Sequence, residues 1–566
     1  MKTYCNPLNI SYRFMRSERR ANQPCREGSD PALILFGGRY WLATSKTSGL
    51  HWSDDLSNWH YIPSRVLPAE GYGPDFWIND GRLYYVNGAE NGEIFRTVAP
   101  EHDQWEKVGA IGYLPDPKIF VDDGGRTYLY WGSGVNSPLQ VRELNSRTFA
   151  PLGEPIALNV PNPQEHGWER SGENNFPVDN ALAQLGIHHP DLPNYRLESY
   201  NEGAWMTRYH DRYYLQNSIP ATEFNIYCDA ISVGDAPTGP FTFQADNPFS
   251  LKPGGYINGA GHSCSFFDRY GNLFHASTMR VTRHHVYERR IGLFPAGFYP
   301  DGTMYCQTRF GDWPHFVPRE ALAAPAALFA GWMLLSYRVA VTASSQEAGF
   351  EGERVVNEDV RTYWAAAADD PAPEVTLTLP CESELRALQI NFAEHHCERN
   401  FDESPTGCAR FTVESSRDGN HWELLWDQRN NQEDKTHCYC ELNAPISASR
   451  LRVRIFAMAN GGRAALSGVR VFGHAPVPPP AVPDAIRVRR RADDLTIADV
   501  NWQLPENAIG VNVLWGLSVD RLHHCWQTLN TTSLSLSSLD ARQSYFVALE
   551  AFGPGGVAIH SVAVEI

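Results

Sequence analysis

Five stretches of this 566-residue chain repeat one pattern, and that repetition limits the possible folds more than any other feature. Asp30 opens DPALILFGGRYWLATS, Asp75 opens DFWINDGRLYYVNG and Asp116 opens DPKIFVDDGGRTYLYWG. Glu202 opens EGAWMTRYHDRYYLQNS and His262 opens HSCSFFDRYGNLFHAST. Each copy sets an ionisable head before a short apolar run, a turn containing Gly or Asp, and an aromatic-rich run, which is the signature of a β-hairpin. The heads lie 45, 41, 86 and 60 residues apart, mostly at the period of propeller blades. Blades pack radially, so equivalent positions converge on one axis. Carboxylates gathered there repel and shift one another's pKa, which marks chemistry rather than stability alone.

The copies run from about residue 4 to 317, broken by an insertion over 159–197 rich in Pro, Asn and His. It lies just upstream of Glu202 and is expected to shape the rim of a pocket. The Ala-rich stretch 319–335 predicts a short connecting helix. Alternating segments such as EVTLTL (374–379), ALQINF (387–392) and RLRVRIFA (450–457) then predict a β-sandwich. HAPVPPPAVP (474–483) reads as a stiff spacer. Beyond it, about seven short strand candidates predict a small immunoglobulin-like sandwich. The chain is therefore expected to be all-β: a five-bladed β-propeller over 1–318, a connector over 319–335, a sandwich over 336–473, a linker over 474–483 and a second sandwich over 484–566.

A formal charge of −17 argues against a nucleic-acid or anionic-membrane partner and suits a neutral polymer such as a polysaccharide. Eleven cysteines without framework spacing read as small buried thiols rather than zinc ligands. The chain as written has no basic-then-apolar leader and no run of 18 apolar residues. That predicts a soluble protein of a reducing compartment, or a secreted or periplasmic one if a signal peptide has been trimmed. Composition fixes no oligomeric state.

Cleaving a glycosidic bond takes one carboxyl held protonated for the leaving oxygen and a second, ionised group acting as nucleophile or as base for a water. A third acid can hold the donor's proton by charge repulsion. Asp30, Asp116 and Glu202 supply those parts. Pro follows both aspartates, removing a backbone donor and restricting the Asp to extended conformations. Gly203 follows Glu202 and permits close backbone approach. His262 heads the fifth copy, where it could touch a central water or cation.

Asn6-Pro7, SDPALI, PDPKIFVDDGGRTYLYWG, EGAWM and GHSCSFFD resemble the blade motifs of glycoside hydrolase family 43, over about residues 4–317. The resemblance implies a five-bladed propeller that hydrolyses arabinan, xylan or related polymers with inversion. It implies Asp30 as general base, Asp116 as pKa modulator and Glu202 as general acid, with the acid and base about 6.5–9.5 Å apart. It implies His262 as an axial histidine near a water or a structural calcium, with no cofactor required for the chemistry. Arg290 is implied as a substrate-facing arginine, with Arg289 as its rival. Asp75 is implied as a residue lining the sugar site, and Trp77 as an apolar platform for a sugar face. Leu114-Pro115-Asp116-Pro117 and Glu202-Gly203 depart from the Arg-Asp-Pro and Glu-Cys motifs of the related retaining fructosidases. VVNEDVRTYWAA (355–366) and SSRDGNHWELL (415–425) resemble discoidin-like, coagulation-factor type C domains. Trp502 and YFVALEAFGPGG resemble a fibronectin type III domain, implying a spacer or partner-docking role. The expected activity is exo-acting release of terminal α-L-arabinofuranose, with β-D-xylose or β-D-galactofuranose as alternative sugars. A non-catalytic carbohydrate-binding scaffold is the alternative of another class.

Overall fold

The computed structural model describes residues 2–15, 24–176, 198–398 and 406–566; the second half of the insertion, 177–197, lies outside the described residues. Short runs rich in aromatic and β-branched residues, each closed by a Gly or Asp turn, fold as antiparallel meanders. Blade I comprises Ala32–Phe36, Arg39–Ala43, Gly49–Ser53 and His60–Pro63. Blade II comprises Asp75–Asn79, Arg82–Val86, Glu93–Thr97 and Glu106–Ala110. Blade III comprises Lys118–Val121, Thr127–Trp131, Gln140–Leu144 and Pro151–Ala157. Blade IV comprises Tyr200–Tyr209, Arg212–Ile219, Cys228–Gly234 and Thr242–Phe243, with Gly134–Val135 added at its inner edge. Blade V comprises Asn258–Phe267, Leu273–Arg280, Arg289–Phe298 and Met304–Cys306. The innermost strands pack in the cyclic order I, II, III, IV, V and back to I. The domain is thus a closed five-bladed propeller, and its two chain ends pair where Thr3–Tyr4 meets His315–Phe316.

The predicted connecting helix reduces to one turn of 3-10 helix, Pro325–Leu328. Proline at its start suits a helical first turn, but Met333–Leu334 already pairs with Ala465–His474 of the following sandwich. That sandwich places Ala465–His474, Glu374–Phe392, His437–Ala457, Arg410–Ser416 and Glu423–Asp427 side by side. The last domain packs a three-stranded sheet (Arg487–Arg490, Ala498–Asn501, Ser533–Leu536) against a sheet built on Gly510–Gly516 and Phe546–Gly553. All eleven cysteines are free thiols, and no described helix is long and apolar enough to cross a membrane.

The last domain does not stand off as a spacer. Its core residues Val500, Trp502, Val513, Trp515 and Leu549 are continuous with Ile219, Phe224 and Ile226 of blade IV and with Trp168 of the insertion. The Gly167 N–H donates to the Leu539 carbonyl at 2.8 Å, and Arg170 pairs with Asp494 at 2.5 Å. The described half of the insertion is therefore the ledge on which this domain docks. Trp168, fully buried and stacked on His166 at 4.7 Å between ring centroids, anchors the joint. Trp168→Ala is expected to cost about 3–5 kcal/mol, read as an earlier urea midpoint for the transition that includes the last domain.

Candidate active site

Every inner strand is headed by a residue in the left-handed region: Asp30 (φ 51°), Gly73 (φ 54°), Asp116 (φ 52°), Gly203 (φ 63°) and His262 (φ 41°); the extended backbone expected of Asp30 and Asp116 ahead of proline is therefore not the one they adopt. Three of these positions are braced by the preceding blade. The Asp30 N–H donates to the Thr278 hydroxyl at 2.8 Å, that of Gly73 to Ser45 at 3.0 Å, and that of His262 to Ser218 at 2.7 Å. The two glycine heads sit where no side chain fits. A Cβ on Gly73 would lie 2.6 Å from the Asp116 carboxylate, and one on Gly203 would lie 3.1 Å from the His262 ring. Asp30, Asp116, Glu202 and His262 thereby meet at one end of the propeller axis. The His262 Nδ1 is 3.4 Å from Asp30 Oδ1, and ligand atoms of Asp116, Glu202 and His262 all lie within 4.8 Å of one another.

The acids sit in unlike surroundings. Burial acts to raise the Asp30 pKa, but the Arg289 guanidinium, then His262 and the Ser45 and Ser29 hydroxyls, hold it below the ordinary aspartate value. Arg289 lies 3.2 Å from Asp30 and 2.6 Å from the buried Glu27, so it bridges two carboxylates. Asp116 is pushed up to about 7 by burial, His262 working against that rise while Glu202 and Asp30 add to it. Burial disfavours a charged His262, yet Asp30, Asp116 and Glu202 outweigh it and hold its pKa above the ordinary histidine value. Glu202 Oε1 accepts from the Tyr227 hydroxyl at 2.6 Å, and its Oε2 from Ser133 at 3.4 Å. The cluster thus offers an aspartate kept ionised beside two cationic groups and a glutamate facing a second acid, which is the equipment for proton transfer on either side of a bond.

Two residues further along each inner strand lies the next layer: Ala32, Asp75, Lys118, Trp205 and Cys264. The matching hydrogen bonds fix this register. The Ile119 N–H donates to Asp75 Oδ2 at 2.7 Å, and the Leu33 N–H donates to Cys264 Sγ at 3.2 Å. Asp75, 1 % exposed, forms an ion pair with Lys118, 5 % exposed. The Lys118 ammonium also sits 3.1 Å from the centre of the Trp205 ring. Burial raises the Asp75 pKa to about 6, although Lys118 and the Ile119 N–H act to lower it. Asp75 is therefore a structural carboxylate beneath the site, not a residue lining it.

Two further expectations are corrected. Trp77 is buried against Tyr84, ring centroids 5.1 Å apart, and Phe149; it packs blade II on blade III and offers no face to a sugar. Arg290 points away from the axis, with its Nε 2.8 Å from Nε2 of His437 in the following sandwich. Its neighbour Arg289, on the other face of the same strand, is the arginine at the site. Sequence reading also missed Glu27, Tyr227, Lys118 and Glu223. Glu223 is buried with one carboxylate oxygen unpartnered, its pKa raised to about 7 by burial and by Glu202, with Arg289 and Arg280 opposing. It lies on the loop after the second strand of blade IV, and such loops open on the face where inner strands begin. Strand bounds were the signal that could have found it.

The donors around His262 do not suit a calcium ion. Calcium takes six to eight oxygen ligands, whereas this cluster combines two carboxylates with an imidazole whose own proton they stabilise.

Residues 23–304 match the family description "Glycosyl hydrolases family 43", and residues 340–468 match "F5/8 type C domain". The chain carries a family 43 glycoside hydrolase domain followed by an F5/8 type C domain. A beta-xylosidase of Xylanibacter ruminicola is 29% identical over 253 residues, 38% of this chain and 78% of that protein. Xylosidase/arabinosidase 43A of Humicola insolens is 26% identical over 263 residues, again 38% and 78%. Among solved structures, the GH43 BlXynB protein of Bacillus licheniformis aligns with a TM-score of 0.41 at 14% identity, covering 83% of this chain and 98% of its own.

Lys118→Met leaves a buried, unpaired Asp75 carboxylate and is expected to cost about 3–5 kcal/mol. The double variant Lys118→Met/Asp75→Leu is expected to recover most of that loss in denaturant titrations. Equal destabilisation by the single and double changes would remove the ion pair as the source.

Proposed function

We propose that the chain is an inverting exo-glycosidase that releases terminal pentosyl units from plant-type oligosaccharides or polysaccharides. In this reading Asp30 is the general base for the attacking water, Glu202 the general acid for the leaving oxygen, and Asp116 the modulator that orients the acid. The observation that carries it is the unlike treatment of the acids. Asp30 is held ionised by Arg289 and His262, whereas Glu202 faces Asp116 and a phenol donor. His262, braced beneath Gly203, positions Asp30 and Asp116 together. α-L-Arabinofuranose stands first from sequence, and the printed names of the two relatives, a beta-xylosidase and a xylosidase/arabinosidase, support β-D-xylose beside it.

Nitrophenyl pentosides and galactofuranoside, with proton NMR of the first-released anomer, test substrate and stereochemistry together. Release of the inverted anomer from a pentoside is expected; a retained anomer would move Asp30 from base to nucleophile. Asp30→Ala and Glu202→Ala are each expected to lower turnover at least about a hundredfold with folding intact. Wild-type turnover in either variant ends the assignment.

The pH–rate profile separates the supporting roles. Arg289 lowers the Asp30 pKa, so Arg289→Met is expected to raise it and to move the acid limb of kcat/KM to higher pH. Asp116→Asn removes a negative charge beside the proton donor, so the donor ionises more easily and the alkaline limb is expected to move to lower pH. An unmoved limb in either variant removes that residue's electrostatic role.

A further inference from the structure

A second cluster of metal-type donors lies far from the carboxylates of the axis. Asp246 follows the outer strand of blade IV; His523 and His524 stand at the start of the strand His524–Leu529 in the last domain. One donor atom from each lies within 4.8 Å of the other two. All three residues are buried, at 4 %, 5 % and 4 % exposure. Asp246 Oδ1, His523 Nε2 and His524 Nε2 are each enclosed without a hydrogen-bond partner. One orphaned buried polar atom is a known cost of folding. Three of them, on residues whose donor groups draw together across a domain joint, call for something that satisfies all three at once.

We propose that Asp246, His523 and His524 form a binding site for a zinc-class divalent cation that clips the last domain to blades IV and V. Two imidazole nitrogens and one carboxylate oxygen make a donor set of the kind that holds Zn2+, with water completing four-coordination. The surroundings supply the supporting contacts such sites use. His523 Nδ1 lies 3.3 Å from the Tyr299 hydroxyl. A proton on that nitrogen, donated to the oxygen, leaves Nε2 free to bind metal. Arg521 is occupied elsewhere, pairing with Asp301 at 2.6 Å, and its guanidinium lies over the Tyr299 ring.

The position makes the ion structural rather than catalytic. Tyr299 follows the strand Arg289–Phe298, whose other end carries the arginine of the active site. At about 3.3 Å per residue the two ends are roughly 30 Å apart. A second histidine cluster, Glu347 with His395 and His396, is a weaker competitor, because Glu347 is already paired with Arg463 at 2.7 Å and with His395 at 3.1 Å.

Full-length protein stripped with a chelator and reloaded tests the site. Wild type is expected to retain one equivalent of Zn2+ after desalting, to show visible d–d absorption when loaded with Co2+, and to unfold at higher temperature with Zn2+ than without. His523→Gln/His524→Gln is expected to lose that equivalent and the thermal shift while keeping pentosidase activity at moderate temperature. Should that variant not fold, Tyr299→Phe removes only the supporting hydroxyl and is expected to weaken Zn2+ about 10–100-fold. The proposal is overturned if stripped wild type takes up no Zn2+. It is equally overturned if the histidine variant binds as wild type does, if Tyr299→Phe leaves the affinity unchanged, or if Glu347→Gln is the change that abolishes uptake.

Discussion

The left-handed residue at the head of each inner strand is the constraint on which the rest of the propeller depends. It turns the chain at the axis so that blades I, III, IV and V each bring one side chain to face the others. Outside glycine such backbone costs about 1–3 kcal/mol per residue and persists only where the surroundings over-determine it. Here the heads that are not glycine are Asp30, Asp116 and His262, three of the four residues of the cluster. Aspartate and histidine tolerate this region better than most residues. Hydroxyls of Ser218 and Thr278, each on the preceding blade, hold two of the three in place. Blade closure therefore supplies the restraint, and the site spends it.

Convergence alone would give three repelling acids. What differentiates the two aspartates is burial set against the cations each reaches: Arg289 and His262 overcome burial at Asp30, whereas at Asp116 burial prevails over His262. Asp30 has Arg289 and His262 within 3.4 Å, and the guanidinium is itself fixed by Glu27 from the opposite side. Glu202 takes its hydrogen bonds from the Tyr227 and Ser133 hydroxyls, with His262 within 4.8 Å. The buried Asp229 extends the order downward, accepting from the Ser218 hydroxyl at 2.7 Å while that same oxygen accepts from His262 N–H. Asp30 and Asp116 thus sit on opposite sides of the ordinary aspartate value, one residue type used for both ends of the scale.

The period of the repeats, their hairpin character and the three carboxylates were legible because turn residues and apolar runs are local signals. Register was not. Counting from the nearest acid put Asp75 at the head of blade II, whereas the Pro that follows Asp30 and Asp116 also follows Gly73. Aligning on X-Pro rather than on charge puts Gly73 at the head and drops Asp75 one layer. The same sensitivity explains Arg290, since neighbouring residues of a strand face opposite ways and a slip of one exchanges inside for outside. Trp77 failed for a different reason: a blade tryptophan looks alike in sequence whether it faces a sugar or the next blade. Docking of the last domain could not be read at all, because its contacts come from scattered positions such as Trp168, Phe224 and Trp515.

That alternation also ties the F5/8 type C domain to Asp30. Arg26 and Glu27 are consecutive in one short strand, and Arg289 and Arg290 are consecutive in another. Glu27 and Arg289 turn inward and pair beside Asp30. Arg26 and Arg290 turn outward, Arg26 to Glu394 and Asp434 at 2.7 and 2.5 Å and Arg290 to His437. Arg290 also donates to the Arg26 carbonyl at 3.0 Å, so the two strands are clamped together on the outward side. Buried ion pairs of this kind hold geometry only when every partner is present. Loss of the accessory domain would release Arg26 and Arg290, and with them the backbone that presents Glu27 and Arg289 to Asp30. The sandwich therefore serves the chemistry as a brace, whatever its loops bind, and its removal is a change to the active site as much as to the outline of the molecule.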